Sequence, residues 1–412
     1  MDTIVIGGGP AGMMAAITAK NNINNNVTLL DGNEKLGKKL FITGKGRCNL
    51  TNDILPADFL QKIVSNSKFL YGGIYSFTPQ DAMEFVEENG TKLKVERGGR
   101  VFPVSDKSSD IIKAFEHAIK VSGVNVRLNT KVLKVSKQKE RFVITTTQGT
   151  FEADNLVIAT GGNSYQPTGS TGDGYKFAKD FGHKIIDIRP ALVPIDLQNF
   201  DTRLEGLSLK NVTAKIDING KEYSEFGEML FTHTGVSGPI ILSLSSRVNR
   251  QNIKGAKFSI DLKPALSEKQ LDERLLRDFE KNKNKDFKNY LPELLPKSLA
   301  EPFLNRLDFP YYTKINNITK ENRQSIIRLL KDFSFKVDKL KDINCGIVTA
   351  GGVDTKEINP KTMESKLVKG LYFAGEVVDI DAVTGGFNIQ IALSTGYLAG
   401  ADIAKKEGLC TK

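Results

Sequence analysis

Apolar β-branched residues open the chain at Thr3-Ile-Val-Ile6, and so short a run ahead of a glycine cluster predicts a buried strand. Residues 7–12 then predict a glycine turn, the alanine-rich residues 13–20 the start of a helix, and residues 27–30 a second buried strand. This is one strand–helix–strand unit. From 51 to 88 the apolar spacing becomes helical, with Phe59, Leu60, Ile63 and Val64 on one face, and Gly98-Gly-Arg-Val-Phe-Pro103 punctuates the pattern. Residues 110–121 predict an amphipathic helix. Strands are expected at 124–128, 131–136, 142–147 and 156–159, the last two joined through the turn region at Gly149 and ending on Thr160-Gly161-Gly162.

Past Arg189-Pro190 the texture changes. Strand patterns at 212–218, 228–231 and 257–262 give way to a charged helical stretch over 267–331. Dinucleotide-binding character returns at Thr349-Ala-Gly-Gly352 and Gly370-Leu-Tyr-Phe-Ala-Gly-Glu376. The expected fold class is therefore α/β, with a discontinuous Rossmann-like domain formed by residues 1–190 and 341–412. An insert at 191–340 interrupts it, β-rich over 191–265 and helical over 266–340.

The glycine turn carries the first chemistry. Gly7-Gly-Gly9-Pro-Ala-Gly12 follows a strand and opens a helix, and Asp31 ends the next strand nineteen residues beyond Gly12. In that setting the first glycine permits the tight turn, the second lets backbone approach a pyrophosphate, and the third lets helix and strand pack. Asp31 can accept hydrogen bonds from ribose hydroxyls. The helix N-terminus adds amide donors and partial positive charge. FAD rather than NAD is expected, because a second cofactor-like segment lies near the C-terminus: in glutathione-reductase-like flavoproteins a strand ending in glycine and an acid, here Gly375-Glu376, sets the acid on the ribityl chain. Gly385-Gly-Phe-Asn388 then precedes an apolar helix, 389–399, whose N-terminus would favour the anionic reduced flavin.

Composition narrows the setting. At 412 residues and 40% hydrophobic content the chain suffices for two or three packed modules. Its three cysteines, Cys48, Cys345 and Cys410, suit neither a disulfide framework nor a zinc site, so a reducing, cytoplasmic setting with no metal and no membrane span is expected. Net charge is +10, and residues 191–340 hold 25 Lys+Arg against 20 Asp+Glu, half of that excess. The bias suits either simple solubility or a polyanionic substrate. The sequence sets no oligomeric state.

Lys38-Lys-Leu-Phe-Ile-Thr-Gly-Lys-Gly-Arg-Cys-Asn-Leu-Thr-Asn52, Gly99-Arg-Val-Phe-Pro103, Phe231-Thr-His-Thr-Gly-Val-Ser-Gly-Pro239 and Thr349-Ala-Gly-Gly-Val353 resemble the BaiN-like (YhiN-type) flavoproteins, also known as aminoacetone oxidase family FAD-binding enzymes. The resemblance runs over essentially the full chain. It implies flavin redox chemistry on a FAD domain carrying an insert, and leaves three activities open: amine oxidation, reduction of conjugated C=C bonds in steroid-type substrates, and dihydrouridine formation in large-subunit ribosomal RNA. Two departures stand out: Thr234 follows His233 where many relatives carry an aromatic residue, and Cys345 sits just before the Ile-Val-Thr strand.

The expected cofactor contacts are Gly7, Gly9, Ala11, Gly12, Asp31, Lys39, Thr43, Gly44, Asn49, Val132, Thr160, Gly161, Gly162, Gly375, Glu376, Gly386, Phe387, Asn388 and Ile389. His233 reads either as a proton donor or substrate ligand, or as a residue stabilising its loop, and Thr234 and Gly235 would line the same substrate region. Cys48 reads either as a group facing the substrate or as a small buried hydrophobe, and Arg100 as an anion site or an ordinary salt bridge. The favoured reaction is reduction of an electron-poor C=C bond, uridine C5=C6 in ribosomal RNA, with NAD(P)H as a transient reductant and no nicotinamide domain of its own. The alternatives are an oxygen-using oxidase of small amines, a reductase of a small enone, and a non-catalytic flavin-bearing RNA-binding factor.

Overall fold

Five parallel strands, in the order Leu371–Phe373, Asn155–Ile158, Asp2–Ile6, Asn26–Leu30 and Asn125–Arg127, build the central sheet. Helices cover such a sheet on both faces, and its central strands accordingly read as apolar runs: Leu156, Val157 and Ile158 are fully buried. The helix Pro10–Ala19 leaves the first strand, with Pro10 in the first turn, where its missing N–H costs nothing. Against it lies the last helix, Phe387–Gly408. Small residues let the two axes approach: a Cβ at Gly400 would stand 2.5 Å from Ala15 O and 2.8 Å from Ala19 N, both backbone atoms.

The structure is a computed structural model that describes residues 1–408; Cys410 lies outside the described residues. It divides into two compact units, Met1–Ala191 with the chain from Asp342 onward, and Leu192–Lys341. Three small antiparallel sheets complete the first unit. Two of them correct the sequence reading. The turn region at Gly149 is itself a strand, Gly149–Ala153, pairing with Arg141–Thr146. The punctuation at 98–103 is a turn at Gly98 and Gly99, both at positive φ, followed by the strand Arg100–Pro103 between Thr51–Asn52 and Leu93–Glu96.

The second unit is a closed six-stranded barrel, Ile195–Leu197, Gly235–Ser237, Lys221–Phe231, Ser208–Ile218, Lys257–Asp261 and Phe333–Leu340, in which every pairing is antiparallel. Its last strand corrects the expectation that 266–340 is helical throughout. Phe333, Phe335 and Val337 alternate with Ser334 and Lys336, a period of two, and put their side chains in the barrel core. The helices Glu268–Lys281 and Lys320–Lys331 each begin with a complete capping box, Ser267 with Gln270 and Thr319 with Asn322.

One buried histidine sets a pH limit on the first unit. His183 Nδ1 lies 3.0 Å from Glu357 Oε2 and Nε2 lies 2.8 Å from Ser365 Oγ, with the ring edge-on to Phe373. Burial depresses its pKa below the ordinary histidine value, against the opposing pull of Glu357. The folded chain therefore holds this ring neutral where the unfolded chain would protonate it. Its contribution is complete above about pH 6.5, the unfolded value, and is lost as pH falls through the lower folded value. Thermal unfolding measured from pH 8 to pH 5 should show wild-type stability falling below pH 6.5, with the His183→Gln variant falling less steeply. Parallel curves would remove His183 as the cause.

Candidate active site

The glycines of the first turn do different work. Gly7 holds φ +109°, and a Cβ there would run into Ala159 O; a Cβ at Gly12 would run into Gly7 O. At Gly8 a Cβ would lie 2.8 Å from Asp31 Oδ2. These three serve the fold. Gly9 is at φ −80° and ψ −179°, extended backbone open to any residue, and a Cβ there would meet nothing within 4 Å. Neither conformation nor packing accounts for a glycine at that position, whereas close approach of a ligand does. Beside it the helix begins with no side-chain cap, which leaves the amides of Ala11 and Gly12 without an intrahelical acceptor. An open cradle in front of orphan amides fits a pyrophosphate.

Asp31 is fixed from two sides. Its Oδ2 accepts from Gly8 N at 2.6 Å, and its Oδ1 accepts from Asn33 N at 2.7 Å and Asn33 Nδ2 at 2.9 Å. Oδ2, with a single donor, retains acceptor capacity for a ribose hydroxyl. Thr130 N donates to Asp31 O and Asn129 N to Asn33 O, which brings the start of the strand at Val132 alongside the same acid.

A second cluster gathers four segments far apart in sequence. Lys39 Nζ donates to Glu376 Oε2 at 2.8 Å and to Ser164 Oγ at 2.9 Å, while Glu376 Oε1 accepts from Thr349 N at 2.8 Å. Thr349 Oγ1 in turn accepts from Asn163 N at 2.8 Å. Gly162 sits under this network, where a Cβ would lie 2.6 Å from Glu376 Oε1. Ser164 and Thr349 were not among the expected contacts. The signal for Thr349 was present in its Thr-Ala-Gly-Gly segment; Ser164 had none. Gly375 and Gly161 hold φ +76° and +74°, and Gly375 packs so closely that a Cβ would lie 2.7 Å from Ala11 Cβ. Near Thr160 two hydroxyls, Thr160 Oγ1 and Tyr175 Oη, are buried without a hydrogen-bond partner.

The segment from Thr43 to Asn49 is a string of left-handed residues: Gly44 at φ +57°, Lys45 at +60°, Gly46 at +81° and Cys48 at +57°. Thr43 Oγ1 donates to Leu40 O at 2.7 Å. Asn49 is spent on its own chain: its amide nitrogen donates to Thr51 O at 3.1 Å and Val101 O at 3.3 Å, and its oxygen accepts from Gly386 N at 3.1 Å. It clamps this segment to the start of the last helix. Asn388 behaves likewise, accepting from Ala382 N at 3.0 Å and donating to Ala382 O at 2.9 Å. Gly386, at φ +94°, lies so close to Thr51 that a Cβ would stand 2.6 Å from Thr51 C. Phe387 is buried edge-on to Phe59, and Ile389 is half-buried against the same core.

Cys48 is fully buried in the first unit's apolar core, and burial pushes its thiol up to about 12. That corrects its placement against a substrate: this is a packed, neutral thiol. Arg100 lies 3.8 Å from Glu96, while Arg47 lies 4.1 Å over the Phe102 ring and pairs with Glu96 and Asp106. In the second unit His233 tops the turn between two barrel strands, its side chain 74% exposed, with Nδ1 2.9 Å from Glu205 Oε2. Thr234 Oγ1 donates to Asp196 Oδ1. Gly235 is a buried barrel residue whose Cβ would lie 2.9 Å from Asp196 Cα, so it packs strands together instead of lining an open surface.

A family model described as the HI0933-like protein Rossmann domain matches residues 1–402. The chain belongs to this family. Two proteins named ribosomal RNA dihydrouridine synthase are similar along their whole length: one from Haemophilus influenzae, 31% identical over 98% of this chain and 99% of the relative, and one from Escherichia coli, 32% identical over 98% of each. A 3-dehydro-bile acid delta(4,6)-reductase from Clostridium scindens is 28% identical, again over 98% of each. Among solved structures, the 3-ketosteroid-delta4-(5alpha)-dehydrogenase of Rhodococcus jostii superposes with a TM-score of 0.52 at 14% identity, over 98% of this chain and 96% of that one, a likeness of fold. The HI0933-like chain is thus a FAD-dependent oxidoreductase on a Rossmann-type fold carrying an additional unit. Among the described residues no helix is long and apolar enough to cross a membrane, and no group of three or more His, Cys, Asp or Glu is placed to hold a metal ion.

Proposed function

We propose that this chain reduces the C5=C6 bond of uridine in large-subunit ribosomal RNA, with electrons from NAD(P)H. The observation that carries the reading is full-length similarity, at 31% and 32% identity, to two relatives named for that product, against 28% for the bile acid reductase. Once bound and reduced by NAD(P)H, the flavin would supply a hydride for uridine C6, with a proton needed at C5. On the chain's own side, Gly9 and the orphan amides of Ala11 and Gly12 hold the pyrophosphate, Asp31 the ribose, and the Lys39–Glu376 pair the region beside Gly162. Burial and high proton affinity take Cys48 out of the proton-donor role in this reading. NAD(P)H docks transiently and leaves before RNA binds, which gives ping-pong kinetics.

Two measurements test the proposal. Anaerobic mixing with NADPH or NADH should bleach the flavin, and small amines should not. Mass mapping of large-subunit ribosomal RNA from a clean deletion strain should show loss of a dihydrouridine that the wild-type gene restores. Unchanged dihydrouridine content in the deletion strain would defeat the substrate assignment, and bleaching by amines alone would favour an oxidase.

A further inference from the structure

Residues 281–288 and 309–316 of the inserted unit, turns and helix ends in conformation, are tied side by side into a short hydrogen-bonded ribbon. Phe287 N donates to Thr313 O at 2.9 Å, Lys288 N to Tyr311 O at 3.1 Å, Ile315 N to Lys285 O at 3.0 Å and Asn316 N to Lys283 O at 3.2 Å, around a single bridge between Asp286 and Lys314. Beneath the ribbon Phe287 is fully buried, ringed by Phe279, Tyr290 and Phe309, so the scaffold is anchored to the unit's core. Its outer side is unlike the rest of the unit. Tyr311 and Tyr312 are 51% and 61% exposed and meet edge to face at 5.4 Å, with Lys288 Nζ 5.4 Å from the Tyr311 centroid. The two segments hold five lysines, Lys281, Lys283, Lys285, Lys288 and Lys314, against the single acid Asp286.

Each part has an ordinary explanation taken alone. Three of the lysines are paired with acids, Lys283 with Glu280, Lys285 with Glu293 and Lys314 with Asp286, and exposed pairs of this kind stabilise a fold little. The pairing explains how the lysines are held, and leaves two adjacent exposed aromatic rings unexplained. An exposed ring has value where it gains a stacking partner, and a ring amid lysines gains one from a base whose phosphates those lysines neutralise. Duplex RNA hides the faces of its bases, so the rings select nucleotides that are unpaired.

We propose that Tyr311 and Tyr312 form a base-stacking platform, with the ribbon lysines as its phosphate contacts, that binds an unpaired segment of the RNA substrate. This rests on the reading of ribosomal RNA as substrate and deepens it. A base inside a stack presents no face to a hydride donor, so an enzyme acting at uridine C5=C6 requires the target region opened, and a platform that holds neighbouring unpaired bases supports that state.

The test uses the full-length FAD-loaded protein and a fluorescent single-stranded 12-nucleotide oligouridylate. Tyr311→Ala/Tyr312→Ala is expected to weaken binding at least tenfold, a loss of one or more stacked bases. Tyr311→Phe/Tyr312→Phe, which keeps the rings, should bind within about twofold of wild type. Lys285→Gln/Lys288→Gln should flatten the salt dependence of the affinity. Flavin absorbance and thermal unfolding should be unchanged in all three, because the rings and ammonium groups stand at the surface. If wild type restores dihydrouridine in the deletion strain and the Tyr-to-Ala protein restores it equally while binding oligouridylate as tightly, the platform is overturned and the substrate reading stands. If wild type restores nothing, the substrate reading fails first. Equal binding of polyglutamate, or preference for a duplex over the single strand, would also overturn the platform.

Discussion

Purified Gly9→Val protein is expected to fold and to be colourless. Its backbone at φ −80° and ψ −179° suits valine, and the first atom of the new side chain meets nothing within 4 Å, so the cost to the fold is confined to a less favourable helix cap. The larger penalty falls on the ligand. A branched side chain would fill the space in front of the Ala11 and Gly12 amides, and a phosphate bonded to a neutral amide gains about 1.5–3 kcal/mol from each charge-assisted bond. Loss of two such bonds lowers FAD affinity by roughly two to four powers of ten. The ratio of flavin to protein absorbance reads this directly, alongside an unfolding curve close to that of wild-type apoprotein. Gly12→Ala should behave in the opposite way, losing stability whether or not FAD is present, because its Cβ collides with the backbone of Gly7. Asp31→Ala is expected to fall between them, retaining flavin at reduced affinity while leaving Gly8 N without its acceptor. A yellow, tightly loaded Gly9→Val protein would remove the pyrophosphate from this turn.

That contrast marks where sequence reading runs out. Gly7, Gly9 and Gly12 are legible as a motif because spacing along one strand–turn–helix unit is local information, and Asp31 lies a single strand further on. The centre of the parallel sheet was legible for the same reason, since Ile4–Ile6, Leu156–Ile158 and Leu371–Phe373 are continuous apolar runs. The Lys39–Ser164–Thr349–Glu376 network was not, because Lys39 and Glu376 are 337 positions apart and neither bears on the periodicity of its own segment. Barrel closure depends on Phe333–Leu340 returning to Ile195–Leu197, although the alternation at Phe333, Phe335 and Val337 was there to be read behind a long helical stretch. Burial of Cys48 is likewise a tertiary fact. Its neighbours Arg47 and Asn49 are partly accessible, while Cys48 itself, in the left-handed region, is fully buried.

Gly396→Ala is expected to destabilise the first unit by about 2 kcal/mol and to loosen flavin with it. Intrinsic propensity points the other way, since alanine in place of glycine within a helix gains up to about 1 kcal/mol. Packing decides the sign. A Cβ at Gly396 would overlap Ala11 O and stand 3.1 Å from Ala11 C, and neither atom can swing aside as the end of a side chain would. Relief requires the last helix to move away from Pro10–Ala19, opening a seam lined by Ala11, Ala15 and Gly400, and forced overpacking of that kind costs about 1–3 kcal/mol even before contacts are lost. The same movement carries Gly386 away from Asn49, and the Thr395 hydroxyl away from Gly375 N, to which it is bonded at 2.9 Å. Flavin release should therefore begin at a lower temperature than in wild type, followed by fluorescence during a thermal ramp. A second substitution identifies the contact. Because the collision is with the backbone of Ala11, Ala11→Gly should fail to rescue Gly396→Ala. Recovery of wild-type stability in the double variant would show that the helices meet through side chains after all, and that the close backbone approach does not set the position of the last helix.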